Sequence, residues 1–363
     1  MAVGLPLKTT YADGDVYSAS DVNDITGTIN ANASPYAAGK NKFINGDFFI
    51  NQRNFSSQTT DGGFGFDRWR MYASSGGTYS AQTFTVGSAP VAGYEAKNFA
   101  RIVTTGQSGA SVYTSFDQPI EDVRTFAGQT VTFSFWAKAA SGSPKMSIEL
   151  VQGAGSGGAG TAFVNGGTVT LTTSWVRYSK TISIPSISGM TIGTGSYLGV
   201  ALWVSAGTTF AARTNSIGIQ SNTFDMWGFQ IEAGSTATPF QTATGNIASE
   251  LAACQRYYWR LVTGNVGAFM TAHYYTSTQI NATQTFPVTM RVTPTLDVGT
   301  GTDYYLFIKT GTNDGINSLT LGSDSTPQTA SVFNNSQASG TAGYGGYLYS
   351  NNASAYVGFS AEL

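Results

Sequence analysis

Between residues 131 and 204 apolar side chains recur at every second position, and that period leaves the chain little choice but the β-strand. Val131, Phe133, Phe135 and Ala137 alternate with Thr132, Ser134, Trp136 and Lys138; Met146, Ile148 and Leu150 alternate with Ser147 and Glu149; Leu198, Val200, Leu202 and Val204 form a third series. Successive side chains of a strand point to opposite faces, so each series turns one apolar face inward. Turn clusters such as Ser141-Gly-Ser-Pro144 and Ser188-Gly189 separate the series, and helical periodicity is nearly absent from 41 to 240. The expected product is a sandwich of two sheets.

The chain of 363 residues exceeds the size at which one core normally stops growing, which predicts two compact domains and a small extra segment. Charged residues make up only 10%, less than half of the ~25% of an ordinary soluble domain. A surface so poor in charge is built from Ser, Thr, Asn, Gln and Gly, and suits neutral, hydroxyl-rich ligands and protein neighbours. With a net charge of -2, nothing favours counterion release from a nucleic-acid backbone, and nucleic-acid binding is discarded. The single cysteine excludes an internal disulfide framework, and no apolar run is long enough to predict membrane insertion. The opening residues lack a basic region followed by an apolar stretch, which predicts synthesis in a bacterial cytoplasm.

The predicted fold is all-β: a short N-terminal anchor helix, a jelly-roll sandwich, a junction helix and a smaller C-terminal sandwich. Residues 1–40 read as an attachment segment in which Val22, Ile25 and Ile29 line one side of a two-turn helix. So short a helix needs a partner: identical subunits in a bundle, or its own domain. Residues 41–240 form the first β domain, with Gly153–Gly167 as a mobile hairpin loop. Over 241–263, Ile247, Leu251, Cys254 and Tyr258 form a helical stripe that Asn246 can cap. Residues 264–363 return to short strands, expected over Val266–His273, Thr278–Val288, Tyr304–Lys309, Ala330–Asn334, Tyr344–Tyr349 and Ala355–Ala361.

Three landmarks punctuate this plan: Asn41 to Arg53 (NKFINGDFFINQR), Phe224 to Gly234 (FDMWGFQIEAG) and Glu250 to Trp259 (ELAACQRYYW). Their order, with a jelly-roll-sized segment between the first two, resembles the fibre-like appendage proteins of tailed bacteriophages, which carry carbohydrate-binding-type sandwiches behind an anchoring N-terminus. The resemblance implies a virion structural protein, a homotrimer docked to other virion proteins through residues 1–40, contacting host surface polysaccharide. Two other roles stand beside it. One is a capsid or tail decoration protein without a ligand; the other is a glycan-degrading tailspike, which predicts a repeating β-helix period that the sequence does not contain.

Catalytic chemistry is sparse. His273 is the only histidine and lies in an alternating strand, where a surface or satisfied role is expected; Cys254 sits on an apolar stripe without a base and reads as a buried hydrophobe. Glycoside hydrolysis needs two carboxylates ~5–10 Å apart. Asp67, Asp117, Glu121, Asp122, Glu149, Asp225 and Glu232 are available, but no spacing joins any two, and Asp117 to Arg124 reads as a solvated turn. No enzyme activity is expected. The resembled jelly rolls open with Asn-Gly-Asp-Phe and end on an acidic strand, which makes Asn45, Asp47 and Asp225 candidate ligands of a structural Ca²⁺; a capped turn explains the same residues. Sugar rings are gripped by exposed aromatic planes. Trp136 and Trp203, on the opposite strand face from the apolar series, and Tyr344, Tyr347 and Tyr349 in a glycine-rich hairpin are the candidate glycan contacts, with burial in an oligomer interface the competing explanation for the tryptophans.

Overall fold

The computed structural model describes residues 39–363, so Val22, Ile25 and Ile29 lie outside the described residues. The first domain is two six-stranded antiparallel sheets face to face. One runs in the order Ser57–Gln58, Gly77–Thr83, Asn98–Thr104, Asn222–Ala233, Thr130–Ala139, Val176–Ser183; the other in the order Gly63–Phe64, Arg70–Ala73, Tyr113–Ile120, Tyr197–Ala206, Lys145–Gly153, Ala162–Thr170. The apolar series turn inward as expected: Phe133 and Phe135 from one sheet, Phe116, Ile148, Leu150 and Leu202 from the other, all buried.

The first landmark threads between the sheets. Phe43 and Phe48 enter the core, where Phe43 packs on Trp69 at 5.2 Å and Phe48 stacks on Phe66 at 5.0 Å between ring centroids. Their backbone is held by the second landmark. Asn41 donates from Nδ2 to the Phe229 carbonyl at 2.9 Å and accepts from the Ile231 amide at 3.1 Å, and the Phe229 amide donates to the Gly46 carbonyl at 2.9 Å. A Cβ at position 46 would run into the Phe229 carbonyl oxygen, which explains the glycine. Asn45 has a φ of 59°, a left-handed conformation that asparagine tolerates.

The third landmark diverges from the expected helix. Ile247–Gln255 is helical, with Asn246 accepting from the Ser249 amide at 2.9 Å, but Tyr258–Thr263 is a strand. Aromatic and β-branched side chains favour the ladder, and this stretch pairs with Tyr356–Ser360. Cys254 is buried as expected, and burial, ahead of the nearby Asp67 and Glu250, pushes its thiol well above the ordinary value.

The second domain packs a three-stranded sheet (Tyr258–Thr263, Tyr356–Ser360, Thr295–Val298) on a seven-stranded one ordered Asn313–Ile316, Tyr305–Ile308, Gly345–Ser350, Gly267–Tyr274, Ile280–Thr285, Thr329–Asn334, Thr320–Leu321. All six expected strands are present within a few residues. Those at 295–298, 313–316 and 320–321 are short and weakly patterned. In the first domain, the strand Ala162–Thr170 takes up the second part of the Gly153–Gly167 stretch that the glycine content marked as a loop and runs past its end.

The two domains meet through the landmarks. Gln52 donates to the Tyr258 carbonyl at 2.7 Å, and the Arg53 and Arg68 guanidinium groups lie 3.6 and 3.5 Å over the Tyr258 and Tyr257 rings. Glu121 accepts from Arg256 Nη2 at 2.9 Å and the Tyr257 hydroxyl at 2.9 Å, and Asp117 is buried against Arg70 within a strand, so only the second half of the 117–124 stretch is the expected exposed turn. The stretch supplies one partner to the domain contact and one to the first domain's outer face.

Two outcomes test this frame. Asn45→Ala removes donors to the Ile50 and Asp67 carbonyls and the acceptor of the Ile50 amide, all in buried surroundings, and should cost about 2–4 kcal/mol in denaturant unfolding. Burial alone would raise the Glu121 carboxyl, but hydrogen bonds from Arg256 and Tyr257 outweigh it and hold the group below its ordinary 4.5. Its stabilising contribution is therefore complete above 4.5 and lost as the pH falls through the lowered value. Protection factors of the 256–263 amides, which correct for the intrinsic slowing of exchange in acid, should fall below that pH, and Glu121→Gln should flatten the dependence.

Candidate functional site

The outer face of the sheet containing Tyr197–Ala206 is concave, and the ladder fixes what lines it. Arg70, Asp117, Ala201 and Glu149 stand in one rung across four strands; Tyr72, Ser115, Trp203 and Ser147 form the next, and Pro119, Gly199, Val151 and Phe163 a third. The small residues Gly199, Ala201 and Ser115 make a low floor, while Tyr72, Tyr113, Phe163, Tyr197 and Phe210 stand around it. The result is an open cleft of about 340 Å³. Glycine is required beside Tyr197: a Cβ at Gly153 would strike its ring, and one at Gly199 would lie 3.2 Å from it.

Two ion pairs furnish the cleft. Arg70 holds Asp117 in a fork, Nε to Oδ1 at 2.9 Å and Nη2 to Oδ2 at 3.2 Å. Arg213, on a short helical turn at Ala211–Thr214, holds Glu149 with two contacts of 2.7 Å, and the Trp203 indole N–H donates to the same carboxylate at 3.1 Å. The Arg213 guanidinium also lies 3.8 Å over the Phe163 ring, which is half exposed. Each cation is thus matched by an anion, so the cleft offers fixed polar groups without net charge. Burial, ahead of neighbouring charges, raises the Tyr72 hydroxyl, and burial with the Asp61 contact raises that of Tyr113, so both remain neutral donors. Asp117 and Glu149 face the same cleft two strands apart, ~10 Å between backbones. Both oxygens of each already accept from an arginine.

The expected site residues separate. Trp203 borders the cleft, but its ring is only 5% exposed, packed at 5.3 Å against Phe210 and 5.0 Å from the Arg213 guanidinium. Trp136 is not an accessible plane: it faces outward from the opposite sheet but lies under Phe240 and Arg177, the latter 4.7 Å from its ring. The segment after the last strand folds back over it, a tertiary effect that strand alternation cannot register. Tyr347 and Tyr349 share the outer face of the seven-stranded sheet, and Tyr344 is exposed just before their strand. His273 is exposed on that same face.

The three candidate Ca²⁺ ligands have separate partners. The Asn45 amide is taken up by backbone, Asp47 accepts from the Tyr94 hydroxyl at 2.7 Å, and Asp225 is forked by Arg101 at 2.6 and 2.9 Å. Asn45 and Asp47 lie in the turn, whereas Asp225 stands mid-strand across from Arg101. Among the described residues no cluster of three or more acidic, histidine or cysteine side chains has metal-binding spacing. A second concavity of about 450 Å³ lies beside Asp47 and Glu250, but their oxygens already accept from Tyr94, the Asn45 amide and Thr244.

The cleft left a mark in the sequence that the apolar series obscured. The outward positions of one strand read Tyr197, Gly199, Ala201, Trp203, two aromatics with small residues between them. The arginine partners left none, because Arg70 and Asp117 come from separate strands.

Residues 40–194 match the family model described as "Carbohydrate binding domain". That span stops short of the strands Tyr197–Ala206 and Asn222–Ala233, which sit in the interior of the two sheets. No curated protein matches the chain. Solved structures with which it aligns include the family 11 carbohydrate-binding module from Clostridium thermocellum in complex with a β-1,3-1,4-mixed-linked tetrasaccharide (TM-score 0.31, 12% identity, 51% of this chain and 98% of that one). Others are the CBM22-2 xylan-binding domain of Paenibacillus barcinonensis Xyn10C (0.31, 18%, 48% and 94%) and the enzymatically active domain of tailspike protein 4 from bacteriophage CBA120 (0.31, 12%, 54% and 22%). At these scores the alignments add nothing to what the strands themselves display. The described residues contain an all-β chain whose first domain includes a carbohydrate-binding-type segment.

The floor can be tested directly. Gly199→Val should displace Tyr197 and fill the cleft while leaving the inward face of the strand intact; the expected result is loss of ligand binding with a far-ultraviolet spectrum unchanged.

Proposed function

We propose that the first domain binds a neutral polysaccharide chain in the cleft over the Tyr197–Ala206 strand, without cleaving it. The observation that carries this reading is the combination of an aromatic-walled, small-floored groove with two internally neutralised ion pairs. Pyranose C–H faces stack on aromatic planes, and sugar hydroxyls find oriented donors and acceptors in Arg70, Asp117 and Arg213, the last aimed by the buried Glu149 behind it. A charged polymer would gain no net attraction there. The match of residues 40–194 to a carbohydrate binding domain supports the same ligand class. The open ends of a cleft suit an internal stretch of a chain.

In the fuller form of this reading the protein is a fibre-like appendage of a tailed bacteriophage virion, docked through residues 1–40, assembled as a homotrimer and contacting host surface glycans. The three landmarks and the scarcity of charge support it. Three copies per fibre would raise avidity ~10²–10⁴-fold over a single weak site. Tyr344, Tyr347 and Tyr349 would give the second domain an additional exposed aromatic contact.

A glycan array bearing neutral and acidic bacterial and plant polysaccharides tests the cleft. Neutral glycans should bind, with affinity nearly independent of salt. Phe163→Ala, which removes the half-exposed ring, should weaken binding at least about tenfold, equivalent to roughly 1.4 kcal/mol, and Trp203→Ala, which removes a buried donor to Glu149, somewhat less. Binding confined to acidic glycans, or unaffected by both substitutions, would overturn the assignment.

A further inference from the structure

The last residues of the chain reach the edge of the cleft. Arg70 spends Nε and Nη2 on Asp117, and its remaining nitrogen, Nη1, donates to the Leu363 carbonyl oxygen at 2.8 Å. The segment carrying that acceptor is fastened to the second domain. Arg291 donates to the Ala361 and Glu362 carbonyls at 2.8 and 2.7 Å, and the Ala361 amide donates to the Tyr257 carbonyl at 2.7 Å. It is also fastened to the first domain, because the Glu362 carboxylate pairs with Arg53 at 3.3 Å and with the fully buried Arg68. Arg68 in turn donates to the Pro119 carbonyl, on the strand that carries Asp117.

A guanidinium fixed on two sides has one orientation, whereas a fork held only by its carboxylate can pivot with it. An arginine side chain carries substantial rotamer entropy, and a site that must order it on binding loses affinity accordingly. We propose that residues 361–363 are a positioning element of the cleft: they anchor Arg70 from behind, hold Asp117 as an oriented acceptor for a sugar hydroxyl, and so tie full glycan affinity to docking of the second domain. The proposal rests on the glycan reading of the cleft. Because such coupling is reciprocal, an occupied cleft also tightens the docking.

Arg291 tests this, since it lies in the second domain and lines no part of the cleft. The Arg70 Nε–H signal, followed by NMR in glycan-free protein, should be sharp and slow to exchange with water in the native chain. In Arg291→Ala it should shift and exchange faster, with Arg291→Lys restoring part of the protection. Removal of Leu363 alone, which leaves the Arg291 contacts in place, should produce the same change and keeps the test valid if Arg291→Ala does not fold. An Arg70 signal untouched by both changes overturns the proposal. For glycans that bind on the array, both variants should raise Kd about five- to tenfold, and glycan should slow amide exchange over 356–363 in the native chain but not in the variants. Unchanged affinity together with an altered Arg70 signal also overturns it. Phe163→Ala should weaken glycan binding at least about tenfold without moving the Arg70 signal, so a cleft that binds no sugar and a tail that holds nothing give different results.

Discussion

The structure depends on the insertion of residues 41–50 between the two sheets of the first domain. A sandwich buries its inward faces well at the centre and poorly where the sheets splay, and Phe43 and Phe48 fill that opening with rings that touch Trp69, Phe66 and Phe229. An irregular segment can run through a core only if its backbone polar groups are met. Asn41, Asn45 and Gly46 meet them, with the Trp69 and Trp227 indoles donating to the Asn45 and Asp47 carbonyls at 2.9 and 3.1 Å. The Asn-Gly-Asp-Phe sequence is thus a solution to satisfying a buried loop, and the far strand's Trp-Gly-Phe is its counterpart.

From that insertion the rest of the architecture is laid out. The chain leaving the core at Ile50 runs directly into Gln52 and Arg53, which grip Asp67, Tyr258 and Glu362. The turn holding Asp67 and Arg68 leads into the strand of Arg70 and Tyr72, which is the rim of the cleft. The helix after the second landmark returns Glu250 to the Asn45 amide at 2.6 Å, so the segment joining the domains is fastened to the same loop. Core closure, domain docking and one wall of the cleft share a stretch of about thirty residues.

This explains which features were legible in the sequence. Period-two alternation comes from residues adjacent in the chain, and it located the strands and the inward faces; the landmarks announced themselves as conspicuous runs of Asn, Gly and aromatic residues. The helix ended early because Tyr258 satisfies both a helical stripe and a strand, and only its partner Tyr356–Ser360, a hundred residues away, decides between them. Trp136 and Trp203 have the same outward placement in their strands. Both are buried, Trp136 under Phe240 from about a hundred residues on and Trp203 under Phe210 and Arg213 of the turn that follows its strand, and strand alternation registers neither cover.

The cleft itself shows how charge can be hidden from a compositional reading. With so few ionisable residues, four of them converge on one sheet face, yet they converge as two closed pairs. In water such pairs would contribute little, but on a partly buried floor each fork fixes the direction of its carboxylate and guanidinium. A neutral sugar competes with water for those groups at small electrostatic cost, whereas an unpaired charge on the same floor would hold its hydration tightly. Low overall charge and a cleft lined by ions are therefore compatible, because what a glycan would meet under the proposed reading is an array of oriented dipoles set between aromatic walls.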